Sequence, residues 1–212
     1  KYIIKIKIEY DFFTTGSPIS DLSLISYVIF YNEMCDNKVQ FIKDNIKNYP
    51  DFPKKGIMFW DIFSALAQGP VCKVIKEVLI DYIKKHCPDI ECVVGLEARG
   101  FLFSMLIASE FGIGCVPIRK KGKLPGITTC ISYKLEYGED IFEIQTDSIK
   151  PGQKVLIIDD LIATGGTMAA AVNLLKKVQA NIVQCLVIME LEDLKGKDKV
   201  SVPVHSFIKY CD

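Results

Sequence analysis

The sequence has two histidines and one tryptophan among its 212 residues, and no Cys-x-x-Cys anywhere. His86 and His205 lie near no cysteine or acid at metal-ligand spacing, so a zinc site is not expected. Net charge is missing too. The 26 basic residues balance the 26 acidic ones, and no global field draws the chain to nucleic acid or to a membrane surface. The longest apolar stretch near the N-terminus, residues 22–31, is broken by Ser23 and Ser26 and is too short to span a bilayer. It follows Asp21 rather than a basic segment, with no small-residue cleavage site after it, which makes it a poor signal peptide. Two nucleotide signatures are also lacking: the Gly-Lys-Ser/Thr of a triphosphate loop and the Gly-x-Gly-x-x-Gly of a dinucleotide fold. There is no internal repeat and no low-complexity segment.

The composition that remains is 50% hydrophobic and 25% charged, ordinary for a globular protein and enough for one domain with a full core. Eight cysteines are present. Cys92, Cys115 and Cys185 fall inside apolar, strand-like runs, where cysteine behaves as a small hydrophobe. Reduced thiols and a cytoplasmic location are the expectation.

Residues 1–33 read differently from the rest, with a strand-like start over 1–9 and a turn at Thr14-Thr15-Gly16-Ser17-Pro18. Val39, Ile42 and Ile46 then fall at helical spacing, and Pro50, Pro53 and Gly56 punctuate a loop. The most regular helix carries Val71, Val74, Ile75, Val78, Leu79, Tyr82 and Ile83 on one stripe, and Pro88 stops it. Beyond it strands and helices alternate: a strand over 92–96, a helix over 101–111 and a strand over 114–118. Strands over 132–135 and 141–145 flank Gly138 as a hairpin or mobile arm. A strand over 154–159, a helix over 167–179 and a strand over 182–189 complete the alternation. The pattern predicts an α/β fold, a mostly parallel central sheet flanked by helices.

Chemistry concentrates in residues 155–167, Val-Leu-Ile-Ile-Asp-Asp-Leu-Ile-Ala-Thr-Gly-Gly-Thr. A β-branched strand ends in two acids, and a short loop leads into a helix, the place where ligands bind in open α/β sheets. From Ala163 onward, Gly165 and Gly166 let backbone amides converge on an anion. The helix near Thr167 adds its free amides and positive dipole end, and Thr164 and Thr167 add hydroxyls. A phosphate cradle without lysine suits a monophosphate on a small ligand. Asp159 and Asp160 suit sugar hydroxyls or a magnesium shell. The strand is expected to end at them, so that the loop turns both inward.

This run resembles the 5-phosphoribosyl-1-diphosphate signature of type I phosphoribosyltransferases. Tyr49-Pro-Asp-Phe-Pro-Lys-Lys-Gly56, Val94-Gly-Leu-Glu-Ala-Arg-Gly-Phe-Leu-Phe103, Arg119-Lys-Lys-Gly-Lys-Leu-Pro-Gly126, Ser132-Tyr-Lys-Leu-Glu-Tyr-Gly138 and Glu190-Leu-Glu-Asp-Leu-Lys-Gly196 are similar to the adenine-specific branch of that family. The resemblance runs from about Met34 to the C-terminus, making residues 34–212 the phosphoribosyltransferase domain. It implies the type I fold with a flexible arm and a small N-terminal base-binding hood, transfer of a phosphoribosyl group to adenine giving AMP and pyrophosphate, Mg2+, and a homodimer.

Positive charge develops on the ribose as pyrophosphate leaves, so fixed charges aimed at the leaving group matter more than a covalent nucleophile. The resemblance assigns pyrophosphate to Glu97, Ala98 and Arg99, with Arg99 a bidentate donor. Arg119, Lys120, Lys121 and Lys123 form a basic arm that closes over it. Glu136 and Asp159 are rival candidates for proton handling at the purine. Magnesium would be held indirectly by Asp159 and Asp160, through water or the ribose. Tyr133 and Tyr137 either shield the site or pack the hairpin. Met58, Phe59 and Trp60 match the base-binding segment, where relatives usually read Phe-Arg-Asp-Ile and this chain has Phe59-Trp60-Asp61-Ile62. Unaltered preference for adenine is expected if the backbone reads the base.

Three other readings stand beside this one: a type I enzyme for a different purine, a non-catalytic regulator that binds phosphoribosyl diphosphate, and an α/β module with a protein partner only. The Asp-Asp pair and the basic arm speak against the hypoxanthine-guanine branch, whose loop typically starts Glu-Asp. Arg99, Glu136 and the lysines speak against a sensor, which needs no leaving-group chemistry.

Residues 1–33 precede the position where family members usually begin and are expected to be a non-catalytic extension. A chain starting at Met34 should fold and keep full activity; a folded truncation that has lost turnover would refute this.

Overall fold

The computed structural model describes residues 35–134 and 139–211. The expected strand over 1–9 and turn at 14–18 lie outside them. The chain divides into two compact units, Lys1–Pro88 and Asp89–Asp212.

In the first unit a helix, α1, covers residues 35–44, where Val39 and Ile42 gave the helical spacing. Two short strands, β1 (Lys47–Pro50) and β2 (Met58–Asp61), pair antiparallel with Pro50 opposite Met58. The proline- and glycine-marked loop joins them. Gly56 donates its amide to Asp51 Oδ1 at 2.7 Å inside it. The strands themselves were not legible, because four exposed or half-buried residues carry no clear alternation. Helix α2 (Ile62–Leu66) is capped by Asp61, which accepts from the Phe63 amide. Helix α3 (Gly69–His86) starts with a proline in its first turn and ends in Lys84, Lys85 and His86, a basic finish that suits a helix C-terminus.

The second unit is a seven-stranded sheet: β3 (Cys92–Leu96), β4 (Gly114–Lys120), β5 (Thr128–Lys134), β6 (Glu139–Gln145), β7 (Lys154–Ile162), β8 (Asn181–Leu191) and β9 (Val204–Tyr210). Their spatial order is β5-β6-β4-β3-β7-β8-β9. The five neighbouring strands from β4 to β9 are parallel, and only β6 runs against them, pairing antiparallel with both β4 and β5. The mostly parallel sheet expected from the sequence is therefore observed. Its central strands β3 and β7 are buried on both faces, which is why residues 92–96 and 155–158 read as unbroken apolar runs.

Helices cover the two faces. On one, α5 (Gly166–Lys177) packs Met168, Ala171, Val172 and Leu175 over Val94, Leu96, Val155, Ile157 and Val187. On the other lies α4 (Gly100–Phe111), and Gly95 of β3 faces its Ser104 so closely that any side chain would collide. Two consecutive 3-10 turns, Glu192–Leu194 and Gly196–Lys199, link β8 to β9. No helix among the described residues is long and apolar enough to cross a membrane.

The basic segment is more structured than a free arm. Arg119 and Lys120 belong to β4 and pair with Glu143 and Phe142 of β6. The hairpin continues this ladder, because the backbone of 119–120 is satisfied by β6 rather than by water.

One contact sets the entry to α4. A Cβ on Gly100 would overlap the Ile158 carbonyl and crowd Asp159. Gly100→Ala should therefore destabilise the fold by about 1–3 kcal/mol in chemical denaturation. Gly69→Ala, where a Cβ meets open space, should change stability by no more than about 0.5 kcal/mol.

Candidate active site

From β3 the chain crosses to β4 on one side, and from β7 it crosses to β8 on the other. The order therefore reverses between β3 and β7, and open α/β sheets bind ligands at the carboxyl ends of strands flanking such a point. A cavity of about 400 Å³ lies there, lined by Glu97, Ala98 and Arg99 after β3 and by residues 159–168 of β7 and the loop into α5. The structure thus brings together Asp159, Asp160, Ala163, Thr164, Gly165, Gly166 and Thr167 with the loop carrying Arg99. The Glu97–Ala98 peptide is cis.

Gly165 caps α5 at φ +79, a left-handed conformation that suits glycine. No side chain caps this helix end and no acid occupies its first turn. Its leading amides are thus left for an anion, with the helix dipole behind them.

The two aspartates behave differently from the expectation. Strand β7 does not stop at Asp159 but stays paired with β8 as far as Ile162, opposite Glu190. The long β8 extends the ladder past the acids, so they sit on a strand rather than on a turn. Asp160 is 2% exposed, and its Oδ2 takes an ion pair from Arg99 Nε at 2.8 Å. Its amide donates to Asp159 Oδ1 at 2.9 Å. Burial, reinforced by the neighbouring Asp160 charge, raises the Asp159 carboxyl well above the usual carboxylate range. Burial raises Asp160 as well, against the opposing charge of Arg99.

Arg119, Lys120 and Lys123 do not line the cavity. Arg119 Nε lies 3.3 Å from Glu97 Oε2, and the Lys120 amide donates to the same oxygen at 2.8 Å. Lys123 Nζ is 3.7 Å from Glu97, and Lys120 Nζ is 2.9 Å from Asp140. Burial pushes the Glu97 carboxyl up, but the Lys120 amide and the Arg119 guanidinium outweigh it and hold it below the ordinary range. Glu97 is thus a counter-charge to the basic segment.

Sequence reading missed Glu143. This carboxylate is 3% exposed and accepts the Lys123 and Leu124 amides at 2.7 and 2.8 Å. It fixes the backbone of the basic turn; the available signal was a lone acid between Phe142 and Ile144 in a strand. Tyr133 packs on Phe142 at 4.6 Å between ring centroids, with Thr167 and Asp140 near its hydroxyl. Burial pushes its phenol up to about 12. Glu136 and Tyr137 lie outside the described residues. Met58, Phe59 and Trp60 stand half-buried on β2 in the first unit, where Phe59 meets Phe52 edge-on at 5.0 Å.

The phosphoribosyl transferase domain family matches residues 65–208. The adenine phosphoribosyltransferase of Drosophila pseudoobscura pseudoobscura is 49% identical over 175 residues, 82% of this chain and 97% of that protein. This chain belongs to the adenine phosphoribosyltransferases. The crystal structure of the Saccharomyces cerevisiae family member, complexed with adenine and an imino-altritol bisphosphate, superposes with a TM-score of 0.79. It is 39% identical and covers 81% of this chain and 98% of its own. The Trypanosoma brucei structure in complex with AMP, pyrophosphate and ribose-5-phosphate gives a TM-score of 0.73 at 28% identity, covering 81% and 79% of the two chains. The chain is accordingly a phosphoribosyltransferase of the type I fold.

The aspartate pair makes stability depend on pH. The folded-state value of Asp159 lies above its unfolded one, so ionising it opposes folding. The penalty is absent below the ordinary carboxylate range and grows as pH rises through the folded value. In chelator-treated buffer, Asp159→Asn should melt about 2–4 °C above wild type at pH 8 and show no gain at pH 4. An equal gain at both pH values would point to a cause other than ionisation.

Proposed function

We propose that this chain is a purine salvage enzyme that transfers the 5-phosphoribosyl group from 5-phosphoribosyl-1-diphosphate to adenine, forming AMP and pyrophosphate. The observation that carries this reading is the cavity between β3 and β7, which joins an uncapped helix N-terminus to an arginine-bearing loop. Small-molecule ligands of these kinds occupy the solved family members.

In this reading the amides and hydroxyls from Ala163 to Thr167 hold the 5-phosphate, and Asp159 and Asp160 address the ribose hydroxyls. Arg99 binds pyrophosphate with the backbone of Glu97 and Ala98. Its pair with Asp160 engages Nε and supports the assignment by fixing the loop; a guanidinium carries further donors for an anion. Arg119, Lys120 and Lys123 add charge to pyrophosphate once it competes with Glu97 and Asp140 for them. A ring nitrogen of adenine attacks the anomeric carbon as pyrophosphate departs, and Glu136 or Asp159 handles the purine proton. The raised Asp159 carboxyl supports a role for it. Met58, Phe59 and Trp60 receive the base.

Magnesium fits this donor set indirectly. No group of three or more potential metal ligands occurs among the described residues, and this cation keeps its waters and binds substrate phosphates through one or two carboxylates. Asp159 and Asp160 would hold it through water or the ribose, where it neutralises phosphate charge. A homodimer is supported by Leu102, Met105 and Leu106, which stand exposed on α4. A cytoplasmic location is supported by the balanced charge and by eight cysteines that are all free thiols.

Purified protein mixed with magnesium, phosphoribosyl diphosphate and each purine in turn should release pyrophosphate with adenine alone. Comparable release with hypoxanthine or guanine would overturn the adenine assignment, and no release with any base would overturn the catalytic one.

A further inference from the structure

The phosphate loop rests on a second stretch of backbone. A Cβ at Gly165 would overlap the carbonyl group of Gly196, and a Cβ at Gly196 would overlap the Ala163 carbonyl oxygen. Main chain therefore meets main chain, with no side chain between them to set the spacing. The supporting segment is the pair of 3-10 turns over 192–199, joined at Lys195 with φ +48. Such turns have poor internal hydrogen bonds and need an anchor from outside.

Lys197, the residue after Gly196, supplies one. Its Nζ lies 2.6 Å from Glu190 Oε2 and donates to Ser206 Oγ at 2.8 Å. Ser206 Oγ donates to the same Glu190 oxygen. Glu190 and Ser206 are 4% and 8% exposed, and Glu190 stands opposite Ile162, the residue before the phosphate loop. The cluster is thus level with the loop, one strand away, and tied to it through Gly196.

We propose that Glu190, Lys197 and Ser206 are positioning residues for the 5-phosphate. They hold Gly196 against Gly165, and this contact keeps the loop amides at the spacing a phosphate requires. The inference rests on the phosphoribosyl reading of the cavity. None of the three residues lines that cavity, so each acts through the backbone.

The test compares full-length wild type with Lys197→Met, Lys197→Arg and Ser206→Ala, using steady-state kinetics, calorimetric binding of ribose 5-phosphate, and melting temperature. Lys197→Met should raise the KM for phosphoribosyl diphosphate and the Kd for ribose 5-phosphate about tenfold, with kcat and the adenine KM held within about twofold. Lys197→Arg, which keeps the charge, should return both constants to within about threefold of wild type. Lys197→Met takes the ion-pair partner from the buried Glu190 carboxylate. Should it fail to fold, Ser206→Ala decides, with an expected rise of about threefold in the same two constants. Phosphate-ligand constants that do not move in the deciding variant, or an equal rise for both substrates, would overturn the inference. Wild-type protein that binds no ribose 5-phosphate would overturn the phosphoribosyl reading beneath it.

Discussion

The ion pair between Arg99 and Asp160 joins the ends of two neighbouring parallel strands, and the geometry of the crevice follows from it. A carboxylate as buried as Asp160 is tolerable in charged form only with a close partner, and removing one member of such a pair typically costs about 3–5 kcal/mol. The guanidinium at 2.8 Å is that partner. It brings with it the loop of Glu97 and Ala98, which opens toward the same cavity. The approach is possible because residue 100 has no side chain to separate α4 from β7. Helix start, strand end and arginine are thus fixed by one another.

Three further acids meet the same problem of burial in different ways. At Asp159 burial and the Asp160 charge outweigh the pull of Arg99, and the result is a raised carboxyl. Glu143 stays ionised by collecting the amides of a turn, which orders the basic segment without touching its charges. Glu190 takes a lysine and a serine hydroxyl. Only the first lines the cavity. The other two convert an electrostatic requirement into fixed backbone.

Much of this was legible in the chain. The run at 155–167 announced a strand, an anion loop and a helix because each segment obeys its own local rule, and β3 matched its reading from Cys92 to Leu96. What escaped depended on partners far away in sequence. Strand β7 outruns Asp159 because β8 is long enough to pair with it. Arg119 and Lys120 read as part of a mobile arm, because their pairing with β6 is set by tertiary structure alone. Strand β9 and the turns before it follow no pattern strong enough to read. Glu143 and Glu190 looked like ordinary acids, since a carboxylate's partners are set by tertiary structure alone.

Trp60 has a consequence beyond recognition. It is the sole tryptophan in the chain, and it stands half-buried on β2 beside Phe59. Indole emission excited at the red edge of the protein spectrum therefore comes from one strand of the first unit and from nowhere else. At this position the protein carries its own fluorophore. Its colour and quenching report the polarity and traffic at that strand without any label.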